Sequence, residues 1–271
     1  MRRNAKLLVA LNNNNSIKHD PLVSMVVDRM AKAKVLRELL QTPGVHQGPA
    51  CFDALGAKLI ESAGFPYGIT SGFSIAASRL ALPDTGLISY GEMLDQGQLI
   101  AQAVSIPIIV DADNGYGNAM NLKRTVKGFI AAGFAGILLE DQVTHSLLFL
   151  FSYLPFLRCT SSYCPNWIVQ VAPKACGHTR GRKVLPREEA VMKIRAAVDA
   201  RTESGSDIVI VARTDARQAV SLEEALIRCR AFADAGADVL FIDALASVEE
   251  MRALCQVSPN VPKLVSSSLS S

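Results

Sequence analysis

The segment IPIIVDADNGYGN, Ile106–Asn118, contains two acidic residues whose spacing suits the binding of a metal ion. An apolar run, Ile106–Val110, is followed by Asp111 and Asp113. Residues two apart on a strand point to the same face, so both carboxylates are predicted to project together beyond the strand. Paired carboxylates suit a hard divalent cation such as Mg2+, which prefers oxygen ligands and keeps some of its waters. Alternatively, Asp113 or Asn114 caps the following helix and Asp111 is solvated.

The elements that must position these carboxylates alternate between strand and helix along the chain. Apolar runs predict seven strands: Gly48–Cys51, Tyr67–Thr70, Ile106–Val110, Gly136–Leu139, Ile208–Ala212, Val239–Ile242 and Val261–Val265. Helical periodicity predicts seven helices: Val27–Leu40, Asp53–Ala63, Tyr90–Val104, Asn118–Ala132, Arg187–Ser204, Leu222–Ala235 and Ser247–Cys255. Several strands are almost continuously apolar, as is typical of parallel strands covered by helices. The pattern predicts one α/β domain over residues 27–265.

Polar residues gather just after these strands. They are Asp53, Ser71, Asp111, Asp113, Glu140, Arg213, Asp215 and Asp243. A (β/α)8 barrel of the TIM type builds its active site at the carboxyl ends of its strands, so this distribution favours such a barrel. The alternative, a doubly wound open sheet, would concentrate its ligand groups at one crevice instead.

Composition excludes several classes of function. With 271 residues, 49% hydrophobic residues and a mean hydropathy of +0.23, the chain can bury a large core. Its net charge of +3 and the lack of a dense basic run outside Lys174–Lys183 argue against nucleic acid as a partner. The apolar stretch Leu147–Leu157 is too short for a membrane span, so no membrane partner is predicted. Six scattered cysteines predict neither a disulfide framework nor a zinc site.

The first 26 residues are basic and rich in asparagine. They are predicted to be a disordered leader, with a transit segment as the alternative. The compartment, cytoplasm or chloroplast, therefore stays open.

Five motifs follow one another in a recognisable order: LPDTGLISYGEM, VDADNGYGN, GILLEDQ, PKACGHTRGRKV and VARTDA. Over Met30–Gln142 and Val171–Leu264 the chain resembles the isocitrate lyase/phosphoenolpyruvate mutase superfamily, and most of all its plant carboxyvinyl-carboxyphosphonate phosphorylmutase-like and petal-death-protein branch. The resemblance implies a (β/α)8-type barrel and Mg2+, with Mn2+ as a substitute. It also implies a small 2-oxo or 2-hydroxy acid substrate that passes through an enolate-like species.

The resemblance also assigns the metal ligands. Asp111, Asp113 and Glu140 match the metal-site carboxylates of the superfamily. Asp84 is expected to lie near them and to contact the metal through a water molecule. A cation held there would neutralise charge that develops on the enolate oxygen. For Glu140 and Asp141, the alternative is helix capping.

Substrate-binding roles are implied for five more residues. The backbone amides of Ser71, Gly72 and Phe73 match the loop that holds the substrate carboxylate or phosphonate. Arg213 matches the arginine that pairs with the same anion, for which a guanidinium fork is well suited. Asp243 stands where relatives often carry glutamate. A structural ion pair with Asp215 is the alternative for Arg213.

The motif PKACGH distinguishes the activities within the superfamily. Cys176 lies between Lys174 and His178, and nearby cations favour a thiolate that can exchange a proton with the enolate carbon. The mutases lack this cysteine, so Lys174, Cys176 and His178 are predicted to be catalytic in a Mg2+-dependent C–C lyase acting on a 2-hydroxy- or 2-oxo-dicarboxylate. The alternatives are phosphorylmutase chemistry at a P–C bond, or an impaired isoform that only associates with full-length subunits.

Two segments depart from the resemblance. Val143–Gln170 is predicted to be an insert, because its removal restores the family-like join EDQVAPKACGH. Residues 266–271 are predicted to be a divergent tail, so that the barrel lacks its eighth strand and the helices that follow it. Relatives are homotetramers, and this assembly is doubtful for a chain without those helices.

Overall fold

Seven parallel strands form the framework of the fold. The structure, a computed structural model, describes residues 21–143 and 181–266. The strands are β1 (Ala50–Cys51), β2 (Gly68–Thr70), β3 (Ile108–Asp111), β4 (Gly136–Glu140), β5 (Val209–Thr214), β6 (Val239–Ile242) and β7 (Lys263–Leu264). They pair in chain order from β1 to β7, and every pair is parallel.

Helices connect the strands and cover the sheet. They are α1 (Pro21–Gln41), α2 (Ala54–Ser62), α3 (Gly72–Leu80), α4 (Tyr90–Ala103), α5 (Ala119–Ala132), α6 (Arg187–Glu203), α7 (Ala216–Ala219), α8 (Leu222–Asp234) and α9 (Val248–Gln256). None of these helices is long and apolar enough to cross a membrane. Neither Asp113 nor Asn114 caps α5, because the Asn118 side chain accepts the first amides of that helix.

The sheet has two faces with different neighbours. One face packs against the surrounding helices and carries alternate strand residues such as Val110 and Ile137. The other face carries Ile109 and Leu138, which pack with Leu36 of α1 in a second, smaller core. Successive side chains on a strand alternate between faces, so the inner-face row continues to the carboxyl ends of the strands. The residues that end this row are Asp111, Glu140, Arg213 and Asp243.

The fold confirms the incomplete (β/α)8 barrel that the sequence predicts. A doubly wound sheet reverses its strand order at a switch point, whereas this order runs from first to last without reversal. The described residues supply seven of the eight strands that such a barrel contains. All seven strands and all seven helices expected from the sequence are present, with ends displaced by a few residues.

Three local expectations need correction. Helix α1 begins at Pro21, so the last residues of the predicted leader are helical. Ser71–Phe73 is not a loop, because Ser71 caps helix α3, which begins at Gly72 and was not predicted. The short helix α7 was also missed. The rest of the leader (1–20), nearly all of the predicted insert (144–170) and the last five residues (267–271) lie outside the described residues.

Candidate active site

Three carboxylates surround the hydroxyl of Tyr116 beyond the ends of β3 and β4. The hydroxyl is buried, and burial together with the charges of Asp113, Asp111 and Glu140 raises the pKa of Tyr116 well above its usual range. Asp113 and Glu140 are themselves only 3% exposed. Neighbouring like charges repel one another, so a cation that binds among these carboxylates would relieve that repulsion.

Asp113 lies in a turn after β3 and not in the strand itself. β3 ends at Asp111, and Asp113 has a left-handed backbone with φ 49°, so strand periodicity does not place its side chain. Its carbonyl accepts from the Glu140 amide at 2.9 Å, which fixes the turn against the end of β4. From α6, the buried ammonium of Lys193 donates to the carbonyl of Asn114 at 2.6 Å. Contacts from two directions therefore hold the turn.

The carboxylate of Asp111 is oriented by backbone amides. Its Oδ1 accepts from the Asp113 amide at 3.0 Å, and its Oδ2 accepts from the Gly72 amide at 2.9 Å. The Ser71 amide donates to the carbonyl of Cys51 at 3.2 Å. Two of the three amides expected to hold the substrate, those of Ser71 and Gly72, therefore already have acceptors within the protein. Phe73, the third, is 45% exposed at the start of α3.

Arg213 lies at the centre of a buried charge cluster. It pairs across the sheet with Glu140, whose Oε2 is 3.5 Å from the Arg213 Nε. Its guanidinium also donates to both oxygens of Asp215, at 3.0 and 3.1 Å, and to Asp243 at 3.1 Å, while Phe241 lies 5.7 Å beneath it. Burial opposes this charge, but the three carboxylates outweigh it and raise the pKa of Arg213 well above its ordinary value.

The ion pair between Arg213 and Asp215, which the sequence left open, is therefore present. The guanidinium lies at the carboxyl ends of the strands beside the carboxylate cluster, and its anion-binding role stays a prediction. Asp243 lies in the same cluster, where it accepts from Arg213, and its substrate-binding role also stays a prediction.

Asp141 supports this cluster through hydrogen bonds to the residues that follow Arg213 in the chain. Its carboxylate accepts from the Thr214 hydroxyl at 2.7 Å, from the Asp215 amide at 3.0 Å and from Arg228 at 2.9 Å. Asp141 is 2% exposed and does not cap a helix. Its hydrogen bonds connect β4 to the end of β5, so its role is to orient the segment that carries Asp215.

The assignment of Asp111, Asp113 and Glu140 as metal ligands stays a prediction. Within residues 21–143 and 181–266, no three histidine, cysteine, aspartate or glutamate side chains converge tightly enough to enclose a metal ion. Asp84 is buried in the loop between α3 and α4, and its role through water stays a prediction. Mg2+ usually takes one or two protein carboxylates and keeps several waters, so an open set of oxygens suits it.

The predicted catalytic residues Lys174, Cys176 and His178 lie outside the described residues. Two buried thiols that the structure does describe, those of Cys51 and Cys229, are expected to be unreactive. Burial, aided by Asp53, raises the pKa of Cys51 to about 11, and burial, aided by Asp141, raises the pKa of Cys229 to about 12. Both thiols are therefore protonated at neutral pH.

Iodoacetamide should accordingly alkylate Cys176 first and Cys51 and Cys229 last, because only the thiolate reacts and cations flank Cys176 in the sequence. Peptide mass spectrometry over a time course at pH 7.5 measures the order. The urea-unfolded chain, in which all six cysteines should react at similar rates, is the control. If Cys176 reacts no faster than Cys51, the predicted thiolate is wrong.

Comparison with known proteins assigns the family. Residues 36–154 and 172–269 match the phosphoenolpyruvate phosphomutase family. The chain belongs to this family. Of the unmatched residues 155–171, all but Val171 fall inside the predicted insert Val143–Gln170, whose limits stay a prediction.

Curated relatives of the family include lyases and phosphomutases. The chain is 39% identical over 230 residues to 2,3-dimethylmalate lyase of Eubacterium barkeri, which covers 85% of the chain and 69% of that protein. It is 37% identical over 242 residues to the chloroplastic carboxyvinyl-carboxyphosphonate phosphorylmutase of Arabidopsis thaliana, covering 88% of the chain and 62% of that protein. The chain thus spans about two-thirds of the length of these relatives.

Solved structures of the family share the fold. Oxaloacetate acetylhydrolase in complex with 3,3-difluorooxalacetate superposes with a TM-score of 0.74 at 33% identity, covering 86% of this chain and 70% of that one. Phosphonopyruvate hydrolase in complex with oxalate and Mg2+ superposes with a TM-score of 0.66 at 31% identity, over the same shares. By family, then, the chain is an enzyme of the superfamily predicted from its motifs.

Three residues of the site were not predicted from the sequence. Tyr116 lies between two glycines, a pattern that predicts a tight turn and indicates nothing about the role of the phenol. Lys193 belongs to a helix and shows no motif. Arg182 belongs to the basic run Lys174–Lys183, which indicates positive charge near Cys176 but no particular partner. In the structure its buried side chain donates to Asp215 and Asp243.

Proposed function

We propose that this chain carries the active site of a Mg2+-dependent C–C bond lyase that acts on a 2-hydroxy- or 2-oxo-dicarboxylate. One observation carries the proposal: a cluster of carboxylates lies directly beside a buried guanidinium. Glu140 and Arg213 are register partners on β4 and β5, with 3.5 Å between their charged groups. Such a pair of neighbouring sites suits a substrate that carries both an anionic group and an oxygen ligand for a cation.

Asp111, Asp113 and Glu140 are the residues that would hold the cation. All three contribute oxygens, and two of them, Asp113 and Glu140, are each only 3% exposed. Bound there, Mg2+ would act as a Lewis acid that neutralises charge building on the substrate oxygen. The Gly72 and Asp113 amides keep Asp111 oriented, and Lys193 holds the turn.

Arg213 binds the anionic end of the substrate. Its guanidinium is held by Asp215 and Asp243, so its position is fixed before the substrate arrives. Such preorganisation lowers the entropy lost on binding. Cys176, flanked by Lys174 and His178, delivers the proton to the departing carbon, in line with its place in the motif.

Phosphorylmutase chemistry at a P–C bond is the second candidate. The family match and the 37% identity to a phosphorylmutase favour it. The cysteine of PKACGH, which the mutases lack, favours the lyase. The reaction products separate the two, because the product of a mutase keeps its phosphorus, whereas the lyase splits a phosphorus-free dicarboxylate into two smaller acids.

Release of 2-oxo acid from a substrate panel tests the proposal. The panel contains 2-alkylmalates, 2-methylisocitrate and phosphonopyruvate, each with Mg2+ and with EDTA. Cleavage of oxaloacetate under the same conditions is followed by the oxalate that it releases. Three proteins are compared: this chain, a variant that lacks residues 143–170, and that deletion carrying Cys176→Ser. Turnover that EDTA and the serine both abolish is the expected result. Folded proteins that release no 2-oxo acid from any substrate, and instead copurify with a longer homologous subunit, would support an impaired isoform.

A further inference from the structure

Arg182 is a second buried guanidinium in the candidate site. Its side chain is fully buried. The backbone that follows it is fixed, because Gln142 bridges Val184 and the Val143 amide donates to the Lys183 carbonyl at 2.9 Å. Arg182 is therefore held against the ends of β4 and β5.

Only part of this guanidinium is used. Its Nη1 donates to Asp215 and, at 2.6 Å, to Asp243. Its Nε and Nη2 find no acceptor among the residues that the structure describes. A buried charged donor without an acceptor is costly, so a ligand or water that accepts from it would be favoured. The Nε and Nη2 edge is the fork through which arginine binds a carboxylate with two parallel hydrogen bonds.

Arg182 lies immediately beside the arginine that the proposed function assigns to the substrate. Both guanidinium groups donate to the same two oxygens, Oδ1 of Asp215 and Oδ2 of Asp243. The two carboxylates therefore hold the two arginines side by side. One arginine is enough for a substrate with a single carboxylate next to its reacting carbon. A second fork offers a place for another carboxylate.

Resting on the proposed function, we propose that Arg182 binds the distal carboxylate of the substrate and makes the site selective for dicarboxylates over monocarboxylates. A purely structural role, as a counter-ion for Asp215 and Asp243, is the alternative. Lysine at this position keeps the charge and one donor for those carboxylates but removes the fork. Methionine removes both.

The test measures the binding of three acids to the whole chain by titration calorimetry in excess Mg2+. Succinate and butyrate differ only in the distal carboxylate, and oxalate probes the metal end of the site. The proteins are the parent chain, Arg182→Lys, Arg182→Met and Arg252→Met, a control at an arginine whose side chain is 72% exposed. Thermal unfolding of each protein reports its stability.

The parent chain and the Arg252 variant should bind succinate about 10- to 100-fold more tightly than butyrate. Arg182→Lys should lose most of this preference while its oxalate affinity and melting temperature change little. Preference retained in Arg182→Lys, or equal loss of oxalate and succinate binding, would overturn the inference. Should both Arg182 variants fail to fold, the parent chain decides alone, and a succinate-to-butyrate ratio near one overturns it. Failure of oxalate to bind the parent would overturn the proposed function as well.

Discussion

Asp113→Asn should abolish the stabilisation of this chain by Mg2+ without unfolding it. Mg2+ at about 100 times its Kd stabilises a protein by about 2.7 kcal/mol, which corresponds to about 5–10 °C in melting temperature for a domain of this size. Asparagine keeps the shape of the side chain and tolerates the left-handed backbone at φ 49°. It removes one of three charges around Tyr116, so the metal-free variant should be as stable as the parent or slightly more stable.

Thermal unfolding with Mg2+ and with EDTA measures this effect. Asp53→Asn is the matched control, because Asp53 also follows a strand but caps α2, accepting from the Gly56 amide at 2.6 Å. Asparagine caps a helix as well as aspartate does, so the control should keep both its stability and its response to Mg2+. An unchanged Mg2+ shift in Asp113→Asn would exclude Asp113 from the metal site.

Much of the site could be predicted because strand periodicity is a strong signal. Alternation along β3, β4 and β5 puts Asp111, Glu140 and Arg213 on one face, and parallel pairing brings their carboxyl ends together. These positions depend only on the backbone pattern of each strand. The same reasoning overreached at Asp113, because the strand ends at Asp111 and the following turn follows different rules.

The parts that could not be predicted depend on contacts between distant segments. The Gly72 amide donates to Asp111, 39 residues away in the sequence, and the Arg228 side chain donates to Asp141, 87 residues away. No local pattern encodes such partners, since a buried donor can be satisfied by any acceptor that the fold brings near. Helix α3 was missed for a related reason: its glycine start weakens the local helix signal, and the Ser71 cap and its burial compensate.

Asp141→Ala should cause the largest loss of stability among single changes in the site, about 3–5 kcal/mol. The substitution leaves the Arg228 guanidinium, 4% exposed, without one of its two carboxylate partners. It also removes the acceptors of the Thr214 hydroxyl and the Asp215 amide. Because native domains are stable by only about 5–15 kcal/mol, urea unfolding should show a large fall in the free energy of unfolding.

A double-mutant cycle with Arg228→Met distinguishes the ion pair from simple loss of packing. If the cost of Asp141→Ala comes mainly from the buried charge that it leaves behind, the double variant should be destabilised by clearly less than the sum of the single variants. Arg228 would still be bonded to Glu224 and to the Leu185 carbonyl in the single variant, which limits the effect but does not remove it. Additive costs would mean that Asp141 acts through its hydrogen bonds to Thr214 and Asp215. In that case Asp141 orients the end of β5, which carries Arg213, through hydrogen bonds from neutral donors and not through its ion pair with Arg228.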